Sequence, residues 1–132
     1  MNDVIVPVRL FVYGTLKLRH HNNHYLGDSK FLSDGVTKLK YPLVRHGIPF
    51  LYNEPGVGHH VKGEVFDVLD QDVLANIDRL EGHPRWYKRE TVEIVRPRRH
   101  SGVGPTSWFC LAYFCQEKRD ASQPLIEEYL KG

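Results

Sequence analysis

Glu81 sits in the run Leu80-Glu81-Gly82-His83-Pro84, where the chemistry that suits it is proton transfer. Gly82 and Pro84 mark the end of a helix. A carboxylate at a helix C-terminus is disfavoured by the dipole, and apolar Leu80 and Trp86 nearby disfavour its charge further. Both effects raise its pKa, as a carboxylate general base working near neutrality requires. The plain alternative is a solvent-facing glutamate in an ordinary helix cap.

A second constellation, Tyr13-Gly14-Thr15-Leu16-Lys17, follows a compact apolar run. Glycine lets the backbone turn sharply and approach a ligand closely. Successive N–H groups in such a turn converge on an anion, a carboxylate as readily as a phosphate. Many strand–glycine turns bind nothing, and this one lacks the Gly…Gly-Lys-Ser/Thr pattern of a phosphate loop.

Other chemistries find less support. His20 and His24 stand at i, i+4 spacing and His59 adjoins His60, but no Cys-x-x-Cys or His-Glu-x-x-His accompanies them. Surface histidines and no metal are therefore expected. There is no Gly-x-Ser-x-Gly elbow, and neither Cys110 nor Cys115 has a basic partner nearby in sequence, so no covalent nucleophile is expected. No Gly-x-Gly-x-x-Gly follows a strand, which argues against a dinucleotide. The basic cluster Arg96, Pro97, Arg98, Arg99 and His100 reads as a solvated hairpin tip rather than a nucleic-acid surface.

The elements that must hold these residues are legible in part. Arg9 to Tyr13 reads as a buried strand entering a turn at Gly14. His20 to Leu26 reads as a loop or a single helical turn. Phe31 to Val44 carries β-favouring residues broken at Gly35 and Pro42, which predicts two strands. Pro49, Pro55, Gly56 and Gly58 mark an irregular stretch, and Val61 to Val68 alternates as a strand. Asp70 is a natural N-cap for a helix carrying Val73, Leu74, Ile77 and Leu80, with Gly82 beyond its end. Trp86 to Val95 and Ser107 to Cys115 predict two more strands, and Gln123 to Leu130 a short terminal helix capped by Ser122. Strands without regular helix alternation point to an α+β domain covering residues 1–132.

Composition agrees with one folded domain. The chain has 132 residues, 41% hydrophobic and 26% charged, and its net charge of +2 demands neither nucleic acid nor membrane as partner. No segment approaches the span of a bilayer or the apolar core of a signal peptide. Cys110 and Cys115 share one strand at an odd separation, roughly 16 Å apart on opposite faces, so they cannot pair within it. Free thiols and no export signal predict a cytoplasmic protein.

Tyr13-Gly14-Thr15-Leu16-Lys17, Asn23-His24, Tyr41-Pro42-Leu43-Val44, Pro55-Gly56-Val57-Gly58, Val61-Lys62-Gly63-Glu64-Val65 and Asp78-Arg79-Leu80-Glu81-Gly82-His83-Pro84 occur in that order, with Tyr87 and Arg89 beyond. The series resembles the γ-glutamylcyclotransferase-like (AIG2-like) family from Leu10 to Glu93, and more weakly through Ala112-Tyr113-Phe114. Asn23-His24 and the Pro-Gly-x-Gly stretch point towards its γ-glutamylamine branch. The residues before Val8 and the loop from Arg96 to Thr106 have no counterpart.

The resemblance implies a mixed β-barrel of about six strands with short helices. It also implies release of 5-oxoproline and a free amine from a γ-glutamyl substrate, a lyase-type reaction using no metal or cofactor. The family's glutamyl-binding turn maps onto Tyr13, Gly14, Thr15 and Leu16, and its acid–base glutamate onto Glu81. From the branch alone, Asn23 and His24 are expected at the pocket entrance. Tyr87 and Tyr113 are candidate hydroxyl donors, expected at the core or rim. Two alternatives stand beside this reading. One is a non-catalytic binding module of the same fold. The other is an enzyme that removes a γ-glutamyl protecting group from a biosynthetic intermediate.

Overall fold

The computed structural model describes residues 4–96 and 107–130. Its strands are β1 (Val8–Val12), β2 (Lys30–Tyr41), β3 (Leu43–His46), β4 (Ile48–Leu51), β5 (His59–Val68), β6 (Tyr87–Val95) and β7 (Ser107–Cys115). Helix α1 (Gln71–Glu81) lies between β5 and β6, and a 3-10 turn covers Asn23–Leu26. Five strands close a barrel in the order β1-β5-β2-β6-β7, while β3 and β4 form a separate hairpin. Barrel neighbours are antiparallel except β1 and β7, which run parallel through Leu10 opposite Leu111. That closure brings the end of β1 beside β7, where the Tyr13 hydroxyl donates to the Tyr113 carbonyl at 2.6 Å.

Side-chain alternation along β1 divides the core in two. Phe11 joins Val61, Val65, Ile94, Ala112 and Phe114 in one apolar cluster. Leu10 and Val12 join Phe66, Val68, Leu74 and Ile77 in the other, which seats α1 on the barrel. Leu74 and Ile77 are almost wholly buried, and each such side chain contributes roughly 1.5–3 kcal/mol.

Both ends of α1 follow from sequence. The Asp70 side chain accepts from the Asp72 N–H at 2.8 Å. At the far end Gly82 adopts the left-handed conformation (φ 68°), its N–H bonded to the Arg79 carbonyl and that of His83 to Asp78. This pair of bonds closes the last turn and fixes Glu81 as its final residue.

Three expectations need correction. Gly35 does not end a strand: β2 runs through it to Tyr41, and a β-carbon there would sit 2.4 Å from Ile94 Cγ2. The stretch around Pro49 is not irregular but forms the β3–β4 hairpin, turning at Gly47 (φ 77°) with Arg45 opposite Pro49. Proline is tolerated there because a two-stranded hairpin has edges that need no N–H. The segment Gln123–Leu130 is not helical. Its backbone instead bonds to neighbours, with Ile126 N–H on the Leu43 carbonyl and Lys62 N–H on the Glu127 carbonyl. The predicted hairpin tip lies outside the described residues from Pro97 onward. Among the described residues no helix is long and apolar enough to cross a membrane, and both cysteines are free and buried.

Candidate active site

The turn after β1 is held from outside by its neighbours. Lys17 N–H donates to the Gly14 carbonyl at 3.1 Å and Asn22 N–H to the Thr15 carbonyl at 3.0 Å. The Asn22 side chain donates to Thr15 Oγ1 and the Asn23 side chain to the Leu16 carbonyl, both at 2.9 Å. Leu18 N–H donates to Glu64 Oε1 at 2.7 Å, and Lys17 Nζ to the Tyr129 carbonyl at 2.8 Å. Among the described residues, the N–H groups of Gly14, Thr15 and Leu16 donate to no turn, loop or side-chain acceptor. Such groups, held in place and unspent, suit a carboxylate or an oxyanion.

Tyr13, Gly14, Thr15 and Leu16 line a cavity of about 280 Å³, and Glu81 lines it with them. Leu80, Trp86, Tyr87, Tyr113, Phe11, Val12, His21, Asn22, Ile48 and Pro49 complete the wall. Burial alone pushes the Glu81 carboxyl up to about 7. Among the described residues no hydrogen bond or ion pair reaches it, so nothing offsets the loss of water. Near neutrality it is divided between acid and base forms, the condition for taking a proton and returning it.

The two tyrosines do different work. Tyr87 donates to the Pro49 carbonyl at 2.9 Å, and Tyr113 donates to Asp78 Oδ1 at 2.6 Å. Burial raises both hydroxyls well above their ordinary range, with the Asp78 hydrogen bond adding to Tyr113. Each proton is already committed, so these groups shape the wall and offer a lone pair rather than a free donor.

A family model described as gamma-glutamyl cyclotransferase, AIG2-like, matches residues 10–130. The chain belongs to that family. A putative gamma-glutamylcyclotransferase of Drosophila melanogaster is 45% identical over 98 residues, 68% of this chain and 62% of the relative. Gamma-glutamylaminecyclotransferase C of Danio rerio is 42% identical over 103 residues, 70% of this chain and 67% of that one. The chain thus spans a little under, or about, two thirds of the length of these curated relatives. The crystal structure of an AIG2-like protein from Mus musculus has 31% identity and a TM-score of 0.79, covering 92% of this chain and 87% of that one.

Of the residues picked from sequence, the family member brings Glu81, the Tyr13–Leu16 turn, Tyr87 and Tyr113 to one cavity. Asn23 and His24 do not line it. Asn23 is spent on the Leu16 carbonyl, and His24 Nδ1 lies 3.0 Å from the His21 carbonyl with its ring against Tyr25. Their neighbours Asn22 and His21, just before the 3-10 turn that starts at Asn23, line the wall instead. Sequence reading missed Ile48 and Pro49, whose place depends on the β3–β4 hairpin. It missed Asn22 too, although an Asn pair just after a glycine turn is a usable sign of local backbone capping.

Proposed function

We propose that this chain releases 5-oxoproline from a γ-glutamyl amine, with Glu81 moving the proton. The observation that carries the reading is an unpartnered carboxyl, raised to about 7, on the wall of the cavity that the glycine turn also lines. The substrate brings its own nucleophile, an α-amine with a pKa of about 8 that is mostly protonated at neutrality. Glu81 takes that proton, and the freed nitrogen attacks the γ-carbonyl to close a five-membered ring. The same carboxyl then gives its proton to the departing nitrogen, takes the second proton that the ring nitrogen must lose, and passes it on to the freed amine, which leaves as an ammonium. The N–H groups of Gly14, Thr15 and Leu16 hold the glutamyl carboxylate or the developing oxyanion. Because the attack is intramolecular, the cavity's entropic task is to hold the chain bent for closure.

The wall also bears on the leaving group. Among the described residues no lysine or arginine lines the cavity, and Trp86 and Ile48 are exposed at 68% and 49%. A leaving nitrogen with its own adjacent carboxylate would place a second anion near Glu81 without a cation to match it. An amine on an alkyl stem would avoid this and rest against the apolar side chains. The relative's printed name, gamma-glutamylaminecyclotransferase, agrees with that preference.

The test is 5-oxoproline formation from ε-(γ-glutamyl)-lysine, γ-glutamyl-alanine and glutathione. The first is expected to turn over fastest. Binding of all three without 5-oxoproline would establish a binding module instead. A panel of γ-glutamylated biosynthetic amines in the same assay distinguishes removal of a protecting group.

A further inference from the structure

We infer that the Asp78–Arg89 pair, joined by the Tyr113 hydroxyl, positions Glu81 for proton transfer. The inference rests on the reaction proposed above. Among the described residues Glu81 has no partner of its own, so its aim comes from the backbone that carries it. Asp78 stands three residues earlier on α1, and its carboxylate gathers three elements. Arg89 from β6 donates through Nε and Nη2 to its two oxygens at 2.7 and 2.9 Å. Tyr113 from β7 donates to it at 2.6 Å. A second tie runs beside the first: Arg89 N–H donates to His83 Nδ1 at 3.1 Å, and His83 N–H donates to the Asp78 carbonyl at 2.9 Å.

The pair is well shielded, with side-chain exposures of 10% for Arg89 and 20% for Asp78. A two-pronged guanidinium–carboxylate contact fixes orientation there, which a lysine cannot reproduce. An ordinary helix end needs only Gly82 and its two closing bonds. Here the turn that follows Glu81 is fastened to β6 as well, and the helix before it to β6 and β7. Neither Asp78 nor Arg89 lines the cavity, so both act through Glu81 rather than on substrate.

The titratable groups around Glu81 are Tyr13 after β1, His21 from the following loop, Tyr87 from β6 and Tyr113 from β7, with Asp78 on its own helix. Burial keeps the three tyrosines neutral, and Arg89 matches the charge of Asp78. Loosening the fork would let the helix end move and water reach Glu81. Its pKa would then fall towards the ordinary carboxylate range.

Arg89→Lys keeps the charge and loses the fork, and Asp78→Asn keeps the size and loses the charge. For both, kcat for 5-oxoproline release is expected to fall about 10- to 100-fold, with KM held within about threefold. The acid limb of kcat/KM, which reports the free enzyme, should move from about pH 7 down towards the ordinary carboxylate range. Carbon-13 titration of the Glu81 carboxyl without substrate, assigned by its loss in Glu81→Gln, should show the same displacement. A lower kcat with both midpoints unmoved would reduce the pair to a support for the fold and overturn the inference. If Asp78→Asn fails to fold, Arg89→Lys decides alone. If the wild-type protein forms no 5-oxoproline, the proposed reaction fails by itself. The carboxyl titration still rules on positioning, and an unchanged midpoint in Arg89→Lys overturns it.

Discussion

A β-carbon on Gly14 would lie 2.4 Å from Cγ of Pro49, so the Tyr13–Leu16 turn and the β3–β4 hairpin meet where only glycine fits. Pro49 also accepts the Tyr87 hydroxyl, so displacing it moves a second part of the cavity wall. Gly14→Ala is therefore expected to cost about 1–3 kcal/mol of stability through overpacking. It should also raise KM at least several-fold in the fraction that folds. Denaturant unfolding and steady-state kinetics check this. A variant with normal KM and midpoint would show that the contact is slack.

Raising the Glu81 carboxyl from its ordinary 4.5 to about 7 carries a thermodynamic consequence. Between those values the folded chain holds the proton more tightly than the unfolded chain. Stability therefore declines as pH rises through that window and is flat above it. Glu81→Gln should be more stable than wild type at pH 8, by at most about 3 kcal/mol and less because the residue is only partly buried. The advantage should vanish below about pH 4.5. Urea midpoints at the two pH values read the difference directly, and a gap that does not vary with pH would contradict the raised carboxyl.

Asn23 anchors the Leu16 carbonyl, whereas His24 meets the cavity wall only through the main-chain carbonyl of His21. Asn23→Ala is expected to cost about 1 kcal/mol of stability. Binding of every γ-glutamyl substrate should weaken by a similar factor, and their ranking should stay unchanged. His24→Ala should behave as wild type. An altered ranking in either variant would place these two residues at the leaving group after all.

Lys17 follows the turn directly and is almost fully buried, its ammonium bonded to the Tyr129 carbonyl with Glu128 at 3.9 Å. It ties the turn to the C-terminal segment. Lys17→Met keeps the aliphatic stem, and loss of the charged hydrogen bond should cost about 1.5–3 kcal/mol. Protease cleavage after the 120s should quicken in parallel. Unchanged cleavage would mean that the segment is held by its other contacts alone.

Local chemistry made α1 readable from Asp70 to Gly82, since both caps and the apolar spacing lie within one stretch of chain. The direction of the Glu81 shift was readable from its apolar neighbours, but its cause is burial in the cavity and not the helix dipole that the sequence also suggested. Pro49 was not readable. Its meaning depends on a hairpin whose edge tolerates proline and on a glycine 35 positions earlier that leaves room for it. The terminal segment misled through its capping residues: Ser122 and Pro124 suit a helix, yet the main-chain groups of Leu43 and Lys62 bond to it as irregular chain. Asp78 and Arg89 could be quoted from sequence, but their joint grip on the helix end exists only once β6 and β7 close the barrel.

The most direct measurement is 5-oxoproline release from ε-(γ-glutamyl)-lysine by folded Glu81→Gln beside wild type. Glutamine preserves the side chain's size while removing its capacity to take a proton, so turnover should drop at least about 100-fold at pH 7. Release at a rate near wild type would show that the proton leaves by another route.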